Sequence, residues 1–200
     1  YGDLLRNYGP PGTLNMSWPQ AIAVFAQGQA AFYLDADILY TNVTNPEASL
    51  VVDSVGFAPF PEGPAGRRPY SVTSWALGMN SESENKEAAW EFIRWATSPQ
   101  IVATMQSEFG QSGARASVWA SPEGLGGFPE DLANAIVVNG ETGVGFDRPR
   151  VIRVGEARDI VGQPIVTAIE GGDVASAAEE ADGSFQEFLE EEAAEFAASE

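Results

Sequence analysis

Cysteine and histidine are both absent from the 200 residues of this sequence. Without cysteine there is no disulfide framework, no thiol nucleophile and no zinc–thiolate site. Without histidine, imidazole-based catalytic triads and histidine-ligated metal sites are excluded. Neither a phosphate-binding glycine loop with its lysine nor a helix–loop–helix calcium loop is present, so we expect no cofactor and no metal. No run of about 18 apolar residues occurs, so no membrane-spanning helix is predicted.

Lysine is scarce as well, since Lys86 is the only one and acids outnumber bases by 29 to 10. The formal net charge of −19 argues against nucleic acid as a partner, because a phosphate backbone would repel the chain. An anionic membrane surface is disfavoured for the same reason. Two origins of this acidity stay open: a salt-rich habitat, where screening weakens self-repulsion, and a GC-rich genome combined with an acidic tail.

Apolar residues make up 44% of the chain, enough to bury a sizeable core. The length suits one large domain or two small lobes. The sequence begins with Tyr1 and not with methionine, which is typical of a processed product or of a fragment.

Residues 70–99 predict one strand followed by one helix. Apolar and small residues alternate over 70–79, as in a strand that is covered on both faces. A polar turn follows, and then an amphipathic helix that Ser98-Pro99 ends. The stripe that we expect this helix to bury consists of Ala88, Ala89, Phe92, Ile93 and Trp95.

Helical and strand patterns alternate along the rest of the chain and predict an α/β fold. Helices are expected over residues 17–27, 100–109, 132–138, 156–169 and 174–200, with Gly28 and Gly110 as stop signals. Short strands are expected over 30–34, 50–52 and 55–58.

Two carboxylates, Asp35 and Asp37, follow the predicted strand at 30–34. Their spacing puts both on one face of an extended chain. Three roles stay open for them: paired carboxylates for glycoside hydrolysis, acceptors for sugar hydroxyls, and caps of the next turn.

Trp75 and Arg115 are the other candidates for ligand contact. The indole of Trp75, with the polar Ser74 beside it, would suit the apolar face of a sugar, or it would pack in the core. Arg115 lies in a Gly/Ser loop and would present a planar fork to a hydroxyl or carboxylate, or merely cover the surface. The one basic cluster, which neutralises the acidic C-terminus in the simpler interpretation, consists of Arg148, Arg150, Arg153 and Arg158.

Four blocks between residues 18 and 118 occur in an order that resembles a known family. They are residues 18–25 with 28–32, residues 55–61 with Gly63-Pro64, residues 75–80 with 85–93, and residues 98–100 with 114–118. This order is similar to that of extracellular solute-binding proteins of the carbohydrate ABC-transporter type, which are maltose-binding-protein-like.

The resemblance implies an α/β, periplasmic-binding-protein-like (type II) bilobal clamshell, of which this chain covers about the latter half. It implies that residues 1–57 belong to the second lobe, that residues 58–117 return to the first, and that residues 118–200 form the C-terminal helical part of the second.

By the same resemblance, ligand contacts are expected from Asp35 and Asp37, from Ser74 and Trp75, and from Arg115. The sequence departs from the family pattern at two of these places. An Asp-Ala-Asp turn stands at 35–37 where a glycine-containing turn is frequent, and Ser74 stands where glycine is frequent. The identity of the solute therefore stays open.

We expect a monomeric extracellular or periplasmic binding protein, with or without a lipid anchor, and not an enzyme. It would deliver a sugar or oligosaccharide to the permease of an ABC importer. Two alternatives stay open. One is a carbohydrate-active hydrolase that uses paired carboxylates. The other is a binding protein for a non-sugar solute such as a polyol phosphate, which would need Arg115, with or without Arg153, in the pocket.

Overall fold

The computed structural model describes residues 1–69, 75–145 and 148–198, and the regular structure in these ranges is helical. The described part contains the α-helices α1 (Gly2–Tyr8), α2 (Trp18–Ala26), α3 (Thr41–Thr44), α4 (Lys86–Ala96), α5 (Pro99–Phe109), α6 (Ala116–Trp119), α7 (Pro122–Leu125), α8 (Glu130–Thr142), α9 (Val154–Glu170) and α10 (Val174–Ala198). It also contains two short 3-10 helices, Thr13–Asn15 and Asp37–Leu39. None of the described helices is both long and apolar enough to cross a lipid bilayer.

Local capping signals explain where the predicted helices begin and end. Helix α5 begins at Pro99, and the hydroxyl of Ser98 accepts a hydrogen bond from an amide of its first turn at 3.4 Å. It ends at Gly110, whose φ of 61° lies in the left-handed region that suits glycine. The carboxylate of Asp173 caps α10 by accepting hydrogen bonds from two amides of its first turn. All five helices predicted in the preceding section are confirmed, and α8 runs further than expected, to Thr142.

Three predicted strands do not form within the described ranges. Residues 30–34, 50–52 and 55–58 take part in no ladder. The one isolated bridge in the described ranges joins Gly63 and Gly66 within a turn. The composition of these stretches gives them β-propensity, but a strand needs a second strand that supplies the ladder hydrogen bonds. No such neighbour is present among the described residues, so these predictions are wrong.

The predicted strand over residues 70–79 lies only partly within the described residues. Residues 70–74, which include Ser74, lie outside them, and residues 75–80 form no ladder. The helix that follows is confirmed as α4, but the expected burial of its apolar stripe is wrong, because α4 has no buried residue. Phe92 and Trp95 are 55% and 58% exposed. Amphipathic spacing gives α4 an apolar face, and the described residues do not supply the surface that would cover it.

One of two compact units consists of Tyr1–Val24 and Asp147–Glu200. Helix α10 packs along α9, and Phe188 of α10 is 3% exposed. Helix α1 also packs against α9, where a Cβ added to Gly2 would approach the Cβ of Ala168 to 2.5 Å. The helix predicted over residues 174–200 is therefore confirmed over Val174–Ala198, and it packs against α9.

The other unit consists of Phe25–Phe146, and its core forms around α8. Two side chains of α8 hold the irregular segment after residue 56: Asp131 accepts a hydrogen bond from the amide of Phe57 at 2.8 Å, and Asn139 accepts one from the amide of Phe60 at 2.9 Å. The core residues and the aromatic and aliphatic side chains packed on them are Phe128, Leu132, Ala133, Tyr40, Phe57, Trp119 and Ile136.

The expected lobe boundaries, at residues 57/58 and 117/118, stay a prediction. The two units are defined by contacts within this chain alone, and they divide it at other positions, between residues 24 and 25 and between 146 and 147.

Candidate functional site

Asp37 opens the 3-10 helix Asp37–Leu39, and aromatic packing fixes that short turn in place. Tyr40 follows directly, and its ring lies edge-on to Phe57 at 6.4 Å between centroids and tilted against Phe128 at 5.7 Å. The Tyr40 hydroxyl donates a hydrogen bond to the carbonyl of Gly127 at 3.4 Å. The half-buried Asp37 therefore stands on a turn that is anchored to the core of its unit.

Asp35 is exposed, and two hydrogen bonds orient its carboxylate. The hydroxyl of Tyr33 donates to Oδ2 at 2.5 Å, and the amide of Ala36 donates to Oδ1 at 2.7 Å. The Tyr33 ring in turn stacks on Phe25 at 6.1 Å. Burial, the hydrogen bond to Asp35 and the charge of that carboxylate, in this order, raise the pKa of the Tyr33 hydroxyl above its usual value. The hydroxyl therefore remains a proton donor to Asp35 at neutral pH.

Asp37 is joined to the loop that carries Arg115. The hydroxyl of Ser112 donates a hydrogen bond to Oδ2 of Asp37, across 75 residues of sequence. The turn at 35–37 and the Gly/Ser loop of Arg115, both predicted to contact a ligand, are thus neighbours in the same unit.

Gln106 of α5 holds the loop from inside the unit, and its side chain is fully buried. Its Oε1 accepts a hydrogen bond from the amide of Gly113 at 3.1 Å, and its Nε2 donates one to the carbonyl of Gly124 at 2.9 Å. The indole Nε1 of Trp119 donates to the carbonyl of Gly113 at 2.7 Å. Both polar groups of the Gly113 backbone are therefore satisfied by side chains, which fixes the loop next to Ser112.

Arg115 is exposed and stands at the N-cap position of α6. Its Nε donates a hydrogen bond to the carbonyl of Thr97, at the end of α4. This bond uses one of the five N–H donors of the guanidinium. The arginine that the sequence predicts as a ligand contact is thus oriented by the backbone of its own unit.

Trp75 is 97% exposed, so core packing, the simpler interpretation of this residue, is wrong for the chain as described. An exposed indole is available to contact a partner or a solute. Ser74 lies outside the described residues. The roles of Asp35, Asp37, Ser74, Trp75 and Arg115 in ligand binding stay a prediction.

Three residues of this arrangement were missed from the sequence: Tyr33, Ser112 and Gln106. The sequence contained a signal for Tyr33. Residues two apart share a face when the chain is extended, so Tyr33 and Asp35 are expected to lie side by side. Ser112 and Gln106 act on residues distant in sequence, and no local pattern indicates such a contact.

A family model, described as bacterial extracellular solute-binding protein, matches residues 1–103 of this chain. Among curated relatives, the mannitol-binding protein of Pseudomonas aeruginosa is 36% identical over 98 residues, which are 49% of this chain and 22% of that protein. The erythritol/L-threitol-binding protein of Mycolicibacterium smegmatis is 34% identical over 95 residues, 48% of this chain and 20% of that one. A probable amino-acid ABC transporter periplasmic-binding protein of Sinorhizobium fredii is 31% identical over 119 residues, 60% and 26% of the two chains.

Solved structures share the fold over nearly the whole chain. Maltose-bound MalE3 of T. maritima aligns with 94% of this chain and 48% of its own, at a TM-score of 0.75 and 25% identity. An ABC transporter solute-binding protein of Agrobacterium vitis with bound D-mannitol aligns with 96% of this chain and 49% of its own, at a TM-score of 0.69 and 26% identity. The expected fold class, part of a type II periplasmic-binding-protein-like fold, is thereby confirmed.

The chain is shorter than the proteins it matches. It spans about half the length of the two solved structures, and the matched stretches cover a quarter or less of the mannitol- and erythritol/threitol-binding relatives. Because the family model covers more than half of its 200 residues, this chain belongs to the bacterial extracellular solute-binding proteins.

Proposed function

We propose that this chain is part of the solute-binding component of an ABC importer and that the solute is a polyol or a sugar. The observation that carries the proposal is the hydrogen bond from Ser112 to Asp37, which joins a carboxylate to the loop of Arg115. Relatives whose names state mannitol, erythritol and threitol as ligands support the class of solute.

The chemistry of these side chains suits an uncharged solute with many hydroxyl groups. Carboxylate oxygens of Asp35 and Asp37 accept hydrogen bonds from hydroxyls, and the guanidinium of Arg115 donates them. A hydrogen bond that involves a charged group contributes about 1.5–3 kcal/mol, so three of them contribute at most about 9 kcal/mol before the entropic cost of binding is subtracted. Micromolar binding needs about 8 kcal/mol net, so apolar contacts must add to these hydrogen bonds. The exposed indole of Trp75 supplies an apolar face for the C–H groups of the solute.

In the complete protein, binding would stabilise a closed arrangement of two lobes, because a solute that contacts both lobes favours the state in which they meet. The solute would then pass unchanged to a permease. This role needs no catalytic group, and we propose that the protein is a binding protein and not an enzyme. A periplasmic or extracellular location follows from the family.

The hydrolase alternative is less well supported. Glycoside hydrolysis needs one carboxyl that gives up a proton to the leaving group and a second carboxylate across the bond. The Asp35 carboxylate already accepts hydrogen bonds from Tyr33 and from the amide of Ala36, as a fixed acceptor does. The relatives described above are named as binding proteins.

An anionic solute is also less well supported. Arg153 is the second cation considered for such a solute, but its guanidinium lies 3.1, 3.6 and 3.7 Å from the carboxylates of Glu156, Glu191 and Glu195. A neighbourhood with this many carboxylates repels a phosphate. The resemblance to a probable amino-acid-binding protein keeps a zwitterionic solute as the second candidate.

The test is a panel of solutes added to the complete polypeptide that carries these residues, followed by its tryptophan fluorescence. We expect D-mannitol, erythritol or maltose to change the emission with saturation, and amino acids and sugar phosphates to leave it unchanged. Saturable binding of an amino acid alone would favour the second candidate. Release of reducing ends from maltose or longer oligosaccharides, abolished by Asp35→Asn, would contradict the proposal and support the hydrolase.

A further inference from the structure

The carboxylate of Asp37 has a partner that the turn around it cannot provide. Its Oδ2 accepts a hydrogen bond from Ser112, which lies 75 residues later in the chain. Within its own 3-10 helix the Asp37 side chain makes no capping bond: the N-cap position belongs to Ala36, and no side chain caps it. The orientation of this carboxylate therefore depends on where the loop of Ser112 is held.

The loop is held by close packing as well as by hydrogen bonds. A Cβ added to Gly113 would lie 2.4 Å from Cγ1 of Val102 and 2.7 Å from Oε1 of Gln106, so the backbone there sits directly on α5. A Cβ added to Gly110 would lie 1.9 Å from the hydroxyl oxygen of Tyr40. The loop is thus seated on the fully buried Gln106 at one point and on Tyr40, at the end of the Asp37 turn, at another.

We propose that Ser112 is a positioning residue for ligand binding and that Gln106 fixes the loop on which it acts. The Ser112 hydroxyl holds Oδ2 of Asp37, so that the carboxylate presents its Oδ1 to a solute hydroxyl in one orientation. Because the carboxylate is ordered before the solute arrives, binding does not lose the rotational freedom of that side chain. This inference rests on the proposed function, and it assigns to Asp37 a partner that itself makes no contact with the solute.

The variants that test it are Ser112→Ala, which removes the hydroxyl, and Ser112→Thr, which keeps it. Ser117→Ala is the matched control, because Ser117 is an exposed serine on the adjoining helix α6. Calorimetric titrations of the complete polypeptide with D-mannitol, erythritol and maltose would give Kd for each variant. Thermal unfolding without solute would show that each variant is folded.

Ser112→Ala is expected to raise Kd about tenfold, Ser112→Thr to restore it to within about threefold of wild type, and Ser117→Ala to leave it unchanged. In the Asp37→Ala background, Ser112→Ala is expected to have no further effect, because the residue that it positions is gone.

Any of four outcomes would overturn the inference. Wild-type affinity in Ser112→Ala would do so while leaving the proposed function intact. Equal weakening by Ser112→Ala and Ser112→Thr would show that the hydroxyl is not the group that matters. Additive effects of Asp37→Ala and Ser112→Ala would show that the two residues act separately. If the wild-type polypeptide binds none of the three solutes, the proposed function fails, and the inference about Ser112 fails with it.

Discussion

At the scale of single residues, burial and the neighbouring Asp35 together set the pKa of the Tyr33 hydroxyl. The Tyr33 pKa is raised in the folded protein, by burial first and then by the hydrogen bond and charge of Asp35. The unfolded chain loses the tyrosine proton near pH 10, and the folded protein only at a higher pH. The stability that this pair contributes is therefore complete below about pH 10 and is lost as the pH rises above it.

We expect the free energy of unfolding of Tyr33→Phe to fall less steeply between pH 9 and pH 11 than that of the wild type, because phenylalanine has no proton to lose. Urea titrations at each pH would measure this. Tyr8→Phe, at a tyrosine that is 83% exposed, is the control. Parallel pH profiles for wild type and Tyr33→Phe would contradict the argument.

Gln106 is the residue on which the loop at 111–115 depends most. Gln106→Leu preserves the volume of the side chain but leaves the amide of Gly113 and the carbonyl of Gly124 without partners. An unsatisfied buried polar group costs about 1–3 kcal/mol, so we expect a loss of at least about 2 kcal/mol of stability. Denaturant unfolding would measure it against Gln100→Leu, an exposed glutamine on the same helix. Equal stability of the two variants would contradict the assignment.

Among the helices, α9 and α10 depend on one arginine. Arg153 lies before the first turn of α9, and its guanidinium carbon is 4.7 Å from the centre of the Phe188 ring on α10. Its amide donates a hydrogen bond to Glu192 at 2.7 Å. Its Nε and Nη2 are buried and lie 3.7 and 3.6 Å from Glu195 and Glu191, beyond hydrogen-bond distance, so the pairing is ionic. The single cation of Arg153 thus faces several carboxylates of the acidic helix α10.

We expect Arg153→Gln to destabilise the protein by about 1–2 kcal/mol, because partly buried ion pairs and a cation–π contact are lost together. Hydrogen exchange of residues 188–198 should accelerate in this variant. Arg158→Gln, an exposed arginine on the same helix, is the matched control. Unchanged exchange in Arg153→Gln would show that the docking of α10 does not depend on Arg153.

Helix α4 is an amphipathic element whose apolar face is exposed in this chain. Trp90, Phe92 and Trp95 are 54%, 55% and 58% exposed, and the last two rings contact each other at 5.8 Å. Exposed aromatic surface such as the touching rings of Phe92 and Trp95 binds hydrophobic dyes and promotes association. We expect the 200-residue chain alone to enhance the fluorescence of anilinonaphthalene sulfonate, and Phe92→Ser with Trp95→Ser to reduce that signal by about half.

The control for this experiment is Glu87→Ser, at an exposed polar residue of the same helix. If the double variant bound the dye as well as Glu87→Ser did, the dye would not be reporting on α4. Sedimentation of the same proteins would show whether the chain also self-associates through this face.

The elements also show which parts of the fold can be predicted from sequence. Helix α5 was predicted correctly because its signals are local: Ser98, Pro99 and Gly110 act on backbone groups within a turn of themselves. The strands at 30–34 and 55–58 were predicted wrongly because a strand forms only when a second strand, often distant in sequence, pairs with it. In the described residues these segments are held by other means, such as the hydrogen bond from Phe57 to Asp131.

At the scale of the whole molecule, the family and the class of fold could be predicted because several local motifs recur in a fixed order. The candidate site could be predicted only in part. Asp37 and Arg115 were identified as separate candidates, and the bond from Ser112 that joins the first to the loop of the second was not. The hydrogen bond from Ser112 to Asp37 depends on Gln106. The burial of Gln106 follows from the packing of α5 against α7 and not from the local sequence pattern.

The net charge of −19 has a consequence for the choice of solute. A strongly acidic protein repels anionic solutes at a distance, and this repulsion weakens as salt shortens the screening length to about 8 Å at physiological ionic strength. An uncharged polyol or sugar does not experience this repulsion. The long-range field and the local hydrogen-bonding groups around Asp35 and Asp37 thus favour the same kind of solute.

The most direct measurement is native mass spectrometry of the complete polypeptide after incubation with D-mannitol, erythritol or maltose. We expect a complex with one solute molecule, lost in Asp37→Ala and in Trp75→Ala but kept in Ser117→Ala. We also expect denaturation to release the solute chemically unchanged. A solute that is recovered cleaved, or a wild-type protein that retains none of the three, would contradict the proposal that this is a polyol- or sugar-binding protein.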